Sequence, residues 1–319
     1  MESGEGGGGG RLPEELDLAG LLYTNHNPSH LHGDFSIRFA SAGPSRFPGL
    51  GFLPCGARAL PLDCCNGILL CRGGGGGGGC HYVCNPATGR FTTLPEPAYG
   101  FQALALAAFE PHGASPRFHV LNFARAEPVQ RAFFDDADFE ESDGDTLSDT
   151  DGLEVFSSET GKWVESQICR ESRVRLVEGM GSVFINGFVN LLTHERKVLA
   201  VDPEGQACHL ISLPVSSWFG FVGCLGQSQG FLQYSVQEDC TCTMMQIWTL
   251  KDFKKGEWIL RHRFEIEVAP QTKILFDYAG YKLLSYNLIN TEVKEICKLE
   301  PETRPRFLLY VPSYADLVK

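Results

Sequence analysis

The sequence predicts an all-β fold, on three observations. Helical periodicity is scarce along its 319 residues, short β-rich runs bounded by Gly, Pro, Asn and Asp recur throughout, and one hairpin unit repeats in degenerate form. The unit is an apolar strand, a turn carrying Gly with a polar partner, then a strand opening on a basic or polar residue. It reads "YVCNPATGRFTTLP", "LEVFSSETGKWVES", "VLAVDPEGQACHLISLP" and "LKDFKKGEWILRHRF", with a fainter copy in "LLSYNLINTEVKEICKL". Gly89, Gly161, Gly205 and Gly256 stand where a tight turn requires positive φ, and Asn85-Pro86 or Asp202-Pro203 opens the turn. The strand that follows is expected to expose Arg90, Lys162 or Glu257 and to bury Phe91, Trp163 or Trp258.

The spacing of the turn glycines turns this unit into an architecture. They are separated by 72, 44 and 51 residues. Intervals of about 45 to 50 match one four-stranded blade of a β-propeller, as WD and kelch repeats illustrate, and the longest gap holds an inserted acidic stretch. In order, the predicted blades run from Leu62 to Leu94, Phe101 to Ile168, Ser182 to Leu213, Phe219 to Phe264 and Lys273 to Leu299. A closing blade would combine Phe35 to Phe39 and its neighbours with the C-terminal "RPRFLLYVP", which removes the open edges of the ring. The prediction is therefore a β-propeller of about six four-stranded blades. It occupies residues 18–319, after a Gly-rich start.

Composition narrows the function classes. Hydrophobic content of 43% and charged content of 21% are globular values, and no apolar run approaches the roughly 18 to 20 residues that span a bilayer. "MESGEGGGGG" has neither the basic start nor the apolar stretch of a secretory signal, so a cytoplasmic or nuclear protein is expected. In that setting the 12 cysteines stay reduced and pack as small apolar residues, and their spacing gives neither paired zinc modules nor a disulfide scaffold. The net charge of -12 argues against nucleic acid and anionic membranes as partners. Nine of the acids lie in "DDADFEESDGDTLSDTD", Asp135 to Asp151, without which the charge would be -3. This stretch reads as a solvated, disordered loop. Ser142, Thr146 and Ser148 each have Asp three residues downstream, the spacing of acid-directed kinase sites, so they are candidate phosphosites.

Motifs that suggest chemistry each have a plainer reading. Gly73 to Gly79 interrupts a hairpin from "GILLC" to "HYVCN", and no Lys-Ser/Thr or helix follows to make a phosphate loop. "GQSQG" satisfies the pattern of a nucleophile elbow, but the strand "FLQYSV" follows, so Ser228 belongs to a hairpin turn. His26, His30 and His32 are spaced to meet a metal, yet beside Pro28 and Ser29 they read as a polar loop. Trp218, Phe219 and Phe221 form the densest aromatic group, at a blade boundary. They either pack between blades or, where exposed, anchor a protein partner. No catalytic, cofactor or metal set rises above these, so a non-enzymatic protein is expected.

"LPLDCCNGILLC", "HYVCNPATGRFTTLP", "LEVFSSETGKWVES", "SVFINGFVNLLT" and "VLAVDPEGQACHLISLP", in this order, resemble the F-box-associated domain of plant F-box proteins, a kelch-like β-propeller. The resemblance continues through "GCLGQSQGFLQYSV" and "IWTLKDFKKGEWILRHR". It implies a substrate receptor of an SCF-type ubiquitin ligase: the propeller captures a protein, while an N-terminal F-box docks on a Skp-family adaptor and, through it, a cullin. Only Leu12-Pro13-Glu14-Glu15-Leu16 matches the opening of an F-box, and "DLAGLLYTN" leads directly toward the propeller. Residues 1–17 are thus expected to be a disordered Gly-rich start with a remnant of that module, which puts docking of the adaptor and cullin that the family implies in doubt. The alternatives are a scaffold or decoy with no ligase link and a sugar-binding or enzymatic propeller. A central funnel with clustered His, Tyr and acids would favour the last.

Overall fold

The computed structural model describes residues 20–26, 35–41, 46–74, 79–109, 117–125, 150–166, 174–177, 180–215, 223–238, 244–265, 282–286, 293–298 and 306–310. Four complete antiparallel sheets of four strands follow one another along the chain. The first holds β3 (Ala59–Cys65), β4 (Ile68–Gly73), β5 (His81–Asn85) and β6 (Arg90–Leu94). The second holds β7 (Ala103–Ala108), β8 (Phe118–Arg125), β9 (Thr150–Ser157) and β10 (Lys162–Ser166). In the third are β11 (Val183–Ile185), β12 (Phe188–Leu192), β13 (Lys197–Val201) and β14 (Cys208–Ser212). β15 (Cys224–Ser228), β16 (Phe231–Gln237), β17 (Met244–Asp252) and β18 (Glu257–Glu265) make the fourth. β19 (Lys282–Tyr286) pairs with β20 (Val293–Lys298) in a fifth.

The two chain ends share a sixth sheet, as the closing-blade expectation required. β1 (Gly20–His26) lies between β2 (Phe35–Ser41) and β21 (Arg306–Tyr310), with Leu22 opposite Phe39 on one side and Leu308 on the other. The sheet count matches the prediction, while the strand count differs. Among the described residues the closing sheet has three strands and the fifth has two. The first strands of successive sheets meet: β3 touches β21 and β7, and β11 touches β7 and β15.

Strand alternation explains the packing. Successive side chains point to opposite faces, so a strand inside a ring of stacked sheets is apolar on both. Ile68 and Leu70 of β4 face the second sheet, against Leu106, Val120 and Phe156, while Leu69 and Cys71 face the closing sheet, with Leu22 and Leu308. Leu199 and Val201 of β13 pack with Leu121 and Leu153 of the second sheet, whereas Val198 and Ala200 pack with Leu232 and Tyr234 of the fourth. The uninterrupted apolar runs "GILLC" and "KVLAV" are these doubly buried strands. Cys65, Cys71 and Cys84 fill the same interfaces, and burial pushes the Cys65 thiol up to about 12, so it stays protonated against the Ala108 carbonyl.

The turn signals behave as read. Gly89, Gly161, Gly205 and Gly256 all have φ between 63° and 68°, each between the third and fourth strands of a sheet. Asn85 Oδ1 accepts from Ala87 N at 3.0 Å, and Asp202 carboxylate oxygens accept from the N–H groups of Glu204, Gln206 and Ala207. Two-residue turns with both φ positive, Asn66-Gly67, Asn186-Gly187 and Gln229-Gly230, join the first and second strands of three sheets. Ser228 is therefore in a hairpin, paired with Phe231. The acidic stretch leads into β9 within the second blade, where Thr150 and Asp151 are the first residues of the strand rather than of a loop, and its residues 135–149 lie outside the described ones.

One burial expectation is corrected. Arg90, Lys162 and Glu257 are exposed and Trp163 and Trp258 half-buried, but Phe91 is 38% exposed. Each tryptophan is covered by the preceding blade: Trp163 Nε1 donates to Pro95 O at 2.7 Å, and Trp258 Nε1 donates to Ser212 O at 2.9 Å. Phe91 belongs to the first complete sheet, where its ring is tilted against Phe52 and edge-on to Tyr82, with centroids 6.5 and 5.9 Å away.

Candidate partner-binding site

Among the described residues, two places in the ring gather polar or aromatic side chains of functional interest. The first is at the inner strands. Asp63, in the "LDCCNG" segment, is only 1% exposed on β3, yet its carboxylate reaches two other blades. Oδ1 accepts from Cys64 N at 3.0 Å and Ser182 N at 3.3 Å. Oδ2 accepts from Leu106 N at 2.9 Å and from the Ser182 hydroxyl. A carboxylate has about four lone-pair sites, and here four donors meet them. Asp63 therefore clamps the inner strands of the first three complete sheets together. Gly181, beside Ser182, lies close to both Asp63 and Leu308, which brings the closing sheet to the same point.

The second place is a cleft of about 90 Å³ between the third and fourth sheets, lined by Ile185, Asn190, Leu232, Leu250, Phe231 and Phe253, with Asn186 and Lys251 beside them. The hairpin geometry creates it. The Asn186-Gly187 and Gln229-Gly230 turns end neighbouring hairpins on the same side of the ring, and Phe231, just past its turn, stays 44% exposed. Phe253 stacks on Phe188 with centroids 4.7 Å apart, and His209 meets both edge-on at 5.5 Å, so this wall is held rigid. Asn190 is fully buried. Its Nδ2 donates to Val183 O and Phe188 O, and its Oδ1 is buried without a partner.

Lys251 of β17 lines the cleft, with Lys254 and Lys255 in the turn that follows and Asp252 and Glu257 beside them. Lys251 lies 3.7 Å from Glu257 and Lys255 3.7 Å from Asp252, all in exposed or half-exposed pairs. The Lys255 N–H, and then its charge, hold the Asp252 carboxyl below its ordinary range.

The sequence-predicted site residues lie outside the described ones. Trp218, Phe219 and Phe221 fall in the link between β14 and β15, and Ser142, Thr146 and Ser148 in the link between β8 and β9. All six lie outside the described residues, as do His30 and His32 and the side chain of His26. Sequence reasoning missed the cleft. Its one signal was "LKDFKKGEW", noted for its glycine turn rather than for three lysines beside an aromatic.

Comparison with known proteins agrees with this architecture. A family described as F-box protein At3g26010-like, beta-propeller, matches residues 55–279, a span that contains all four complete sheets. F-box protein At5g07610 of Arabidopsis thaliana is 25% identical over 266 residues, 78% of this chain and 59% of the relative. F-box protein At5g49610 of the same plant is 26% identical over 199 residues, 60% of this chain and 52% of the relative. The chain thus spans between half and three-fifths of these relatives' lengths. Among solved structures, TolB from Acinetobacter baumannii is a loose likeness, with a TM-score of 0.43 and 10% identity over 95% of this chain and 66% of that one. With the family matched across most of its length, the chain belongs to the β-propeller family of plant F-box proteins.

Proposed function

We propose that this chain is a non-enzymatic, protein-binding propeller, the substrate-recognition part of an SCF-type ubiquitin ligase F-box subunit, working in the cytoplasm or nucleus. The observation that carries this reading is the family match over residues 55–279, which coincides with the blades of the ring. The geometry is in keeping with it. The Asp63 carboxylate, the buried acid of the inner strands, is engaged in clamping blades. Residues 18–319 form the binding domain. Leu12 to Leu16 carry the opening of an F-box pattern. Trp218, Phe219 and Phe221 are further proposed partner contacts, and Ser142, Thr146 and Ser148 proposed phosphosites.

Affinity purification of the tagged chain from plant cells, with quantitative mass spectrometry, tests this. The expected result is a reproducible protein partner recovered above a scrambled control. Absence of any such partner would refute the receptor reading. The same spectra read phosphate on Ser142, Thr146 and Ser148.

A further inference from the structure

Resting on the protein-binding reading, we infer that the cleft between the third and fourth sheets is the anchor site for an acidic peptide segment of the partner, which inserts one aliphatic side chain between Phe231 and Phe253. Size, lining and charge each contribute. About 90 Å³ accommodates a single leucine-sized side chain, not a sugar or nucleotide. Ile185, Leu232 and Leu250 supply apolar walls, and Phe231, 44% exposed, is the kind of aromatic that gains most from being covered. Phe253 is already fixed by its stack on Phe188, so little side-chain freedom is lost on binding.

The rim selects the sign of the neighbouring residues. Lys251 lines the cleft, and Lys254 and Lys255 follow in the adjoining turn, so that segment 251–257, with Asp252 and Glu257, carries a net +1 on a chain of -12. Their present partners, Glu257 and Asp252, are held at 3.7 Å in solvent-exposed pairs, which contribute little and yield readily to a carboxylate from outside. A basic segment would meet Lys251 at the cleft mouth and be repelled.

The test uses the full chain and two short fluorescent peptides, each with a central leucine, one flanked on both sides by aspartates and the other by lysines. Fluorescence polarisation should show saturable binding of the acidic peptide and none of the basic one. Phe231→Ala should weaken the acidic peptide by about tenfold, the usual effect of losing an aromatic anchor. The double substitution Lys251→Glu with Lys254→Glu should reverse the preference between peptides. Equal binding of both peptides, no binding of either, or binding unchanged by these substitutions overturns the inference. The variants are at exposed positions, and a thermal melt confirms that they fold. Capture of protein partners by the wild-type and variant chains separates the two readings. An unchanged set of partners in the variants removes the cleft site and leaves the receptor function standing, whereas no partner even for the wild type removes the receptor function itself.

Discussion

Asp63, Gly205 and His81 show how single residues hold this ring. Removing the Asp63 carboxylate strands the N–H groups of Leu106 and Ser182 and the Ser182 hydroxyl in a buried site. Asp63→Ala should cost about 3 kcal/mol or more, and Asp63→Asn less, because its amide oxygen still accepts. Urea unfolding of the two variants measures the difference. A Cβ on Gly205 would sit 2.9 Å from a Val155 methyl and 3.1 Å from Ser166 Cβ, at a φ of +68°. Gly205→Ala should therefore lose about 2 kcal/mol by the same assay. His81 is buried and stacked on Phe101 at 3.8 Å, and burial, then the charge of Arg72, lower its pKa to about 4 from an ordinary 6.5. The unfolded chain thus takes up a proton that the folded one refuses. Stability should fall as pH drops from about 6.5 toward 4 and lose no more on this account below that. His81→Phe should flatten the slope of urea midpoint against pH across that window.

At the scale of the element, what the sequence revealed and what it hid have the same physical origin. Hairpin turns are local, so Gly89, Gly161, Gly205 and Gly256 announced the outer hairpins of all four complete sheets. Burial in the last strand is not local. Trp163 is covered because Pro95, 68 residues earlier, ends the neighbouring blade's outer strand, and Trp258 because Ser212 does the same for the next pair. Phe91 stands at the matching place in the first complete sheet, where Phe52 and Tyr82 approach it and it stays 38% exposed. Nothing in "TGRFTTLP" distinguishes it from "TGKWVES". Trp163→Phe and Trp258→Phe should each cost about 1 kcal/mol through the lost indole bond, with Phe91→Ala near neutral by comparison. The cleft was hidden for the same reason. Ile185, Phe231 and Phe253 come from separate hairpins and meet only when the third and fourth sheets are stacked.

Over the whole molecule, the ring depends on a strand from the C-terminal end entering a sheet built at the N-terminal end. Leu308, 5% exposed, packs with Leu22, Leu50 and Leu69 where the closing sheet meets the first complete one. Leu308→Asp places an unpaired charge in that seam and should open the ring, read as a large fall in melting temperature and protease cleavage near the chain ends. Closure matters to function because the cleft and every interface behind it depend on adjacent sheets staying in contact. Whether this ring binds a protein through its assembled blades is read by side-by-side affinity purification of the wild-type chain and the Leu308→Asp variant. A reproducible partner is expected with the wild type and should be lost in Leu308→Asp; a partner retained by the opened ring would overturn this reading.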